Sequence, residues 1–328
     1  MTTTTNNKEF EAPVYQGSTK DIFYVSSEEY LFKFSDRYSI FDFGEMPNLI
    51  PHKGESTARL TESLFRYFEK SVPVKTHLLR RGINANELIV KRFNVPRDFD
   101  HSVFYNKRPL EAFVPLEVIF RMGVPEGSSL LKRGDYKIHD RFIKPMIEFS
   151  TKLESIDRML SYEEAKLIAG LNDQEFEDLV DLTSKIAFTL NDLVNESGLV
   201  LWDGKFEFAF IEGEASDRRK FALVDSISLD ELRITLDGFP LSKEILRQIY
   251  KHSEWYEDLV IQKSMHQDTF RDLVKKPFKL NEATIETISK IYLLTQNLLE
   301  DNQNQNDQQL SKLKKCIGEL KNEYPHCW

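Results

Sequence analysis

The 328-residue chain has only two cysteines, Cys316 and Cys327, both near its C-terminus. Two thiols so placed form no disulfide framework and show no metal-ligand spacing. They read as incidental thiols in a reducing compartment. None of the seven histidines stands in H-x-x-x-H or H-E-x-x-H spacing, which argues against a zinc site. No G-x-S-x-G elbow is present, so the serine-hydrolase signature is missing as well. Basic residues are outnumbered, 44 Lys+Arg against 53 Asp+Glu, for a net charge of −9. A chain this acidic is a poor general binder of nucleic acid or of an anionic membrane. Any anionic ligand must be met by a local cluster of Lys and Arg. No apolar run approaches the roughly 18 residues that span a bilayer. The polar start, MTTTTNNKEF, lacks the apolar core of a secretion signal. The expectation is a soluble, cytoplasmic protein.

What remains is an ordinary globular mixture, 41% hydrophobic and 30% charged. Its length suits two domains or one large one. Residues 1–12 read as a loose polar arm. DIFYV and YLFKF, separated by SSEE, predict a hairpin after a turn at Gly17. Residues 54–70 predict a helix, with Leu60, Leu64, Phe65 and Phe68 at helical spacing and Ser56 or Thr57 as its cap. THLL, ELIVKRF and FVPLEVIFRM add strand candidates. After about residue 140 helices dominate. Ser161 and Glu164 form a capping-box spacing, and a long amphipathic helix runs from Asp173 to a stop at Gly198. A hairpin follows over 199–228, then helices over 241–260 and 281–299. The polar stretch 301–309 reads as a connection to a short terminal helix. The layout is α+β: a β-rich N-terminal lobe over 1–112, a larger α+β lobe over 113–300, and a linker plus helix over 301–328.

Four segments carry chemistry. In Trp202–Phe208, strand alternation puts Asp203, Lys205 and Glu207 on one face, and the partner strand delivers Asp225. Carboxylates around a lysine suit a Mg²⁺–nucleotide site, although on spacing alone such alternation more commonly marks a salt-bridged hairpin face. Gly17 to Phe23 is a glycine turn followed by Lys20, able to lie over phosphates, yet it matches neither glycine-rich phosphate motif. Glu117 and Arg121 lie on a strand leading to Gly127-Ser128-Ser129, a possible phosphomonoester cradle or an ordinary loop. Residues 36–42 and 50–55 embed charges between aromatics, either a shaped polar site or a salt-bridged turn.

Taken in order, these segments resemble the SAICAR synthetase family of purine biosynthesis. Its G-K-x-[KR]-x-x-Y turn corresponds to Gly17–Phe23. D-R-x-S-A-F-D is matched by Asp36–Asp42, with Ile40 for the alanine, and I-P-x-K-G-E by Ile50–Glu55. E-x-x-x-R…G-S is matched by Glu117, Arg121, Gly127 and Ser128, and S-T-K-x-E…D by Ser150–Glu154 with Asp157. D-x-K-x-E-F is matched by Asp203, Lys205, Glu207 and Phe208. The final element appears as Asp225, Asp230 and Arg233. Residues beyond about 250 carry no motif of the family.

The resemblance implies a two-lobed, protein-kinase-like fold with ATP between the lobes. It also implies ligation of carboxyaminoimidazole ribonucleotide (CAIR) to L-aspartate through an acyl phosphate. By motif, Gly17, Lys20, Glu117, Lys205 and Glu207 meet ATP, with Lys205 and Asp225 in the catalytic role. Glu207 and Asp225 hold Mg²⁺. Arg121, Ser128 and Arg233 bind the ribonucleotide, and Lys152 and Asp157 bind aspartate. The chain departs from the pattern at Ser18, at Ile156 and Arg158 around Asp157, at Ser226, and at Ile234-Thr235. Arg158 and Ser226 predict a more positive amine pocket. The rival readings are a paralogous amide ligase with another amine or heterocyclic carboxylate, and a nucleotide-binding protein without turnover.

Overall fold

Alternation in DIFYV and YLFKF produces the expected hairpin, Lys20–Tyr24 against Glu29–Phe34. The computed structural model describes residues 12–96, 101–154, 157–213, 218–266, 269–300 and 306–328. The predicted arm over 1–12 therefore lies almost wholly outside them, as do Ile156 and much of the turn near 214–217. The hairpin extends into an antiparallel sheet in the order Tyr15–Gln16, Lys20–Tyr24, Glu29–Phe34, Glu87–Lys91, Leu78–Arg81. Its inner face packs Phe32, Phe34, Leu88 and Val90 against Ala58 of the helix Lys53–Ser71.

That helix starts differently from the sequence expectation. Ser56 and Thr57 are buried inside it, and the boundary residue His52 is left-handed and gives no side-chain cap. The cap comes from a distant residue, because the Gly54 amide donates to Asp36 Oδ1 at 2.9 Å. The helices Tyr162–Ala169 and Asp173–Glu196 open on complete capping boxes, Ser161 with Glu164 and Asn172 with Glu175. Gly198 follows the longer one at φ 75°. The segment read as one helix over 241–260 is two, Glu244–Lys251 and Glu254–Met265, divided where Ser253 accepts from the Tyr256 amide and restarts the helix.

Among the described residues a second sheet of nine strands forms around the long strand Val200–Glu212. It pairs antiparallel with Leu116–Gly123 and with Arg219–Val224. Beyond Leu116–Gly123 lies Arg141–Thr151, a strand the sequence did not announce. Lys75–Thr76 pairs in parallel with Arg219–Val224, so the N-terminal part contributes to the second sheet as well. Residues 306–309 are not a linker: they begin the helix Asn306–Glu323, whose Leu313, Cys316, Ile317 and Leu320 enter the main core. Among the described residues no helix is long and apolar enough to cross a membrane.

Candidate active site

The strand pattern does to Asp203, Lys205 and Glu207 what alternation requires. Asp203 stands opposite Arg121 and Lys205 opposite Ile119, while Glu207 pairs across the other edge with Val224. Gly204 is needed between them, because a β-carbon there would lie 2.7 Å from the side chains of Phe120 and Leu232. Asp225 follows the last paired residue of Arg219–Val224 and adopts a left-handed φ of 67°, uncommon for a residue with a side chain. Its carboxylate meets Lys20 of the first sheet. One ion pair thus ties the glycine-turn strand to the second sheet.

Around that contact the charges interlock. Lys152, just past the end of Arg141–Thr151, lies 2.6 Å from Glu207 and 3.1 Å from Glu117. Lys205 also meets Glu117. Three lysines and three carboxylates, drawn from both sheets, therefore form one cluster. Burial alone would raise Asp225, but the charges of Lys20 and Lys152 outweigh it and hold its carboxyl below the ordinary value. Glu207 moves the other way: burial, and then the neighbouring Asp225 charge, push it up. Burial would lower Lys152, but Glu207, Glu117 and Asp225 keep it firmly protonated.

A second cluster lies along the same strand. Arg121 is buried and ion-paired to Glu148 and Asp203. Its guanidinium donates to Ser129 Oγ at 3.1 Å. Ser128 is buried beside it, and its hydroxyl accepts the Leu130 amide to start the short 3₁₀ turn Ser129–Arg133. Arg233 lies 3.4 Å from Asp203 on the far side. Burial raises the Asp203 carboxyl despite both arginines. Arg121 and Arg233 are thus brought together on either side of Asp203, and Ser128 lies one residue before the Ser129 that Arg121 meets.

Asp157 lies partly at the surface; its partial burial raises its carboxyl, Glu117 adds to the rise and Lys152 opposes it. Arg158 points its charge elsewhere, 3.1 Å from Glu154 and 3.3 Å from Glu164 at the exposed surface. Gly17 abuts the 36–42 segment, since Arg37 donates to its carbonyl at 3.1 Å. That segment borders a cavity of about 600 Å³ lined by Asp36, Arg37, Glu45, His52 and Glu55.

Two contributors escaped the sequence reading. His77 is buried, and its Nε2–H donates to the Asp225 carbonyl at 2.9 Å, fixing the backbone that carries the carboxylate. Burial lowers its pKa to about 4, so the ring is neutral. Lys243 is lowered to about 8, chiefly by burial, in the fields of Asp230, Arg247 and Lys205. Asp203 was visible in its motif but had no assigned role. A signal existed for it in the alternation; His77 and Lys243 had none, because their partners are distant in sequence.

Two sheets joined through a lysine–carboxylate cluster, with an arginine–serine cradle alongside, define a two-lobed α+β protein built to hold a phosphate-rich ligand. A family profile for SAICAR synthetase matches residues 13–264. A protein of Archaeoglobus fulgidus is 36% identical over 289 residues, covering 80% of this chain and 85% of its own. The phosphoribosylaminoimidazole-succinocarboxamide synthase of Thermoplasma volcanium is 32% identical over 268 residues, covering 74% of this chain and 84% of its own. Among solved structures, the SAICAR synthase of Saccharomyces cerevisiae complexed with SAICAR shares the fold with a TM-score of 0.65. It is 20% identical and covers 91% of this chain and 97% of its own. A type-2 SAICAR synthetase in complex with ADP has a TM-score of 0.59 and 24% identity, covering 81% of this chain and 99% of its own. The chain belongs to the SAICAR synthetase family.

Proposed function

We infer that this chain joins CAIR to L-aspartate at the expense of ATP, giving SAICAR, ADP and phosphate. A carboxylate is a poor acyl donor until one of its oxygens becomes a good leaving group. Attack of the CAIR carboxylate on the γ-phosphorus breaks the bond to ADP and leaves an acyl phosphate. The amine of aspartate then attacks the acyl carbon, phosphate departs, and the nitrogen loses a proton as the amide forms. The protein's part is to hold the partners in line and to neutralise charge.

The observation that carries this reading is the cluster of Lys20, Lys152 and Lys205 on Glu117, Glu207 and Asp225. Lys20 and Lys205 are suited to phosphate oxygens, with Gly17 and Glu117 bordering the nucleotide. Glu207 senses the Asp225 charge, and a cation between them would relieve that repulsion. Among the described residues no group of three or more His, Cys, Asp or Glu is arranged around a metal position. Mg²⁺ fits that donor set, since it commonly takes one or two carboxylates and completes its shell with phosphates and water. When bound it would neutralise phosphate charge. Arg121, Ser128 and Arg233 are the ribonucleotide's partners in this reading, and Lys152 with Asp157 holds the amino acid.

The test is ADP release with CAIR and a mixture of aspartate, glutamate, alanine, glycine and lysine, with products identified by mass. Aspartate should dominate. A different adduct would replace the named reaction with a paralogous ligation. Nucleotide binding without ADP release would leave a binding protein.

A further inference from the structure

The helix Glu282–Glu300 lies beyond the family match, in the part of the chain that carries no motif. It is nevertheless wired to the site. Tyr292 is buried, and its hydroxyl donates to Asp230 Oδ1 at 3.1 Å. The other oxygen of Asp230 lies 2.6 Å from Lys53 Nζ, and both side chains are sealed from solvent. Three residues earlier on the same helix face, the Ser289 hydroxyl donates to the Pro51 carbonyl at 2.6 Å. Just before the helix, the Leu280 amide donates to Asn48 Oδ1 at 2.9 Å, and Asn48 Nδ2 returns a bond to the Leu280 carbonyl at 3.2 Å.

These bonds converge on two loops. One runs from Asn48 to Lys53 and launches the first helix. The other runs from Asp225 to Arg233, with Asp230 between the carboxylate that meets Lys20 and the arginine beside Asp203. Thr61 joins the same loop through the Ile227 carbonyl at 3.2 Å. Neither Tyr292 nor Asp230 is exposed to a ligand, so both act through what they hold. The phenol, raised well above its ordinary value by burial and by Asp230, stays a donor.

We propose that Tyr292 is a positioning residue that braces the 225–233 loop through Asp230, so that the helix Glu282–Glu300 sets how well Arg233 meets the ribonucleotide. This rests on the CAIR-ligase reading above. Losing one hydrogen bond to a buried carboxylate would let the loop relax toward the site's ribonucleotide side. The nucleotide side is held independently by Lys20, Lys152 and His77.

The experiment is steady-state kinetics of Tyr292→Phe and Ser289→Ala in the full-length chain, beside wild type, with thermal unfolding of each. Wild-type turnover with CAIR establishes the reaction on its own, so the brace is judged only against an active parent. Tyr292→Phe should raise the KM for CAIR roughly tenfold, the scale of a hydrogen bond to a charged group, with the KM for ATP within about twofold. Ser289→Ala should show the same split at about threefold, and it carries the test if the first variant does not fold. A lowered melting temperature with unchanged KM for CAIR would reduce Tyr292 to packing. An equal rise for ATP would equally overturn the proposal.

Discussion

Lys152 and Lys205 keep 29% and 32% of their side chains accessible, whereas Lys53 keeps 1%. All three are lysines against carboxylates, and the difference lies in their partners. Lys152 is shared between Glu117 and Glu207, and Glu117 is shared with Lys205. In such a lattice Lys152 or Glu117 can give up one contact to a ligand and keep another. Lys53 has one carboxylate, Asp230, whose second oxygen is already taken by Tyr292. Nothing there can be exchanged. The accessible cluster is thus free to exchange partners, as the functional reading asks of it, and the sealed one holds the frame. Neither is evidence of net stabilisation, because desolvating two charges offsets much of their attraction.

The comparison can be broken at the sealed end first. Lys53→Met removes the ion-pair partner and leaves buried Asp230 with the Tyr292 phenol and the field of Lys243. Breaking a buried pair in this way costs about 3–5 kcal/mol. Chemical denaturation should show a loss of that size. A variant as stable as wild type would mean that the pair carries no structural weight.

At the accessible end the cost should fall on turnover instead. Asp225→Asn keeps the shape but removes the charge that meets Lys20 and, in the functional reading, Mg²⁺. Turnover should fall by about 10²–10³-fold, the scale of losing one preorganised charge, with the variant still folded. Wild-type turnover at ordinary Mg²⁺ would remove Asp225 from the metal site.

His77 sits between the two cases, buried like Lys53 but in contact with Asp225. Its folded pKa of about 4 lies below the ordinary 6.5. As pH falls from 6.5, the unfolded chain takes up this proton first. The neutral ring's contribution is therefore fully present above 6.5 and is lost as pH falls toward and through 4. The loss by pH 4 is roughly 3 kcal/mol. His77→Gln, which keeps a donor but does not titrate, should flatten that part of the stability profile. Parallel profiles for the two proteins would show that His77 does not carry the acid sensitivity.

How much of this was legible in sequence depends on distance along the chain. Period-2 alternation placed Asp203, Lys205 and Glu207 on one face, and the capping box at Ser161 was read correctly, because both signals are local. The first helix misled for the opposite reason: its cap is Asp36, 18 positions before Gly54. The strand Arg141–Thr151 was missed because its first half is exposed, with Ile143 94% accessible, so it shows no buried alternation. The His77–Asp225 and Asp230–Tyr292 bonds join residues 148 and 62 positions apart. Such pairings exist only once the sheets and helices have packed, and no local pattern encodes them.

The smallest expected effect concerns Arg158, where the sequence argued for a more positive amine pocket. The structure gives its charge to Glu154 and Glu164, with half of the side chain exposed. Exposed pairs of this kind contribute little and are screened by salt. The charge is thus spent locally and does not bear on Asp157. Arg158→Ala should leave the KM for aspartate within about twofold, and should not change the preference for aspartate over glutamate or alanine. If the variant instead accepted a neutral amino acid, Arg158 would have to reach the amine when substrates are bound. The pairing with Glu154 and Glu164 would then be only its resting arrangement.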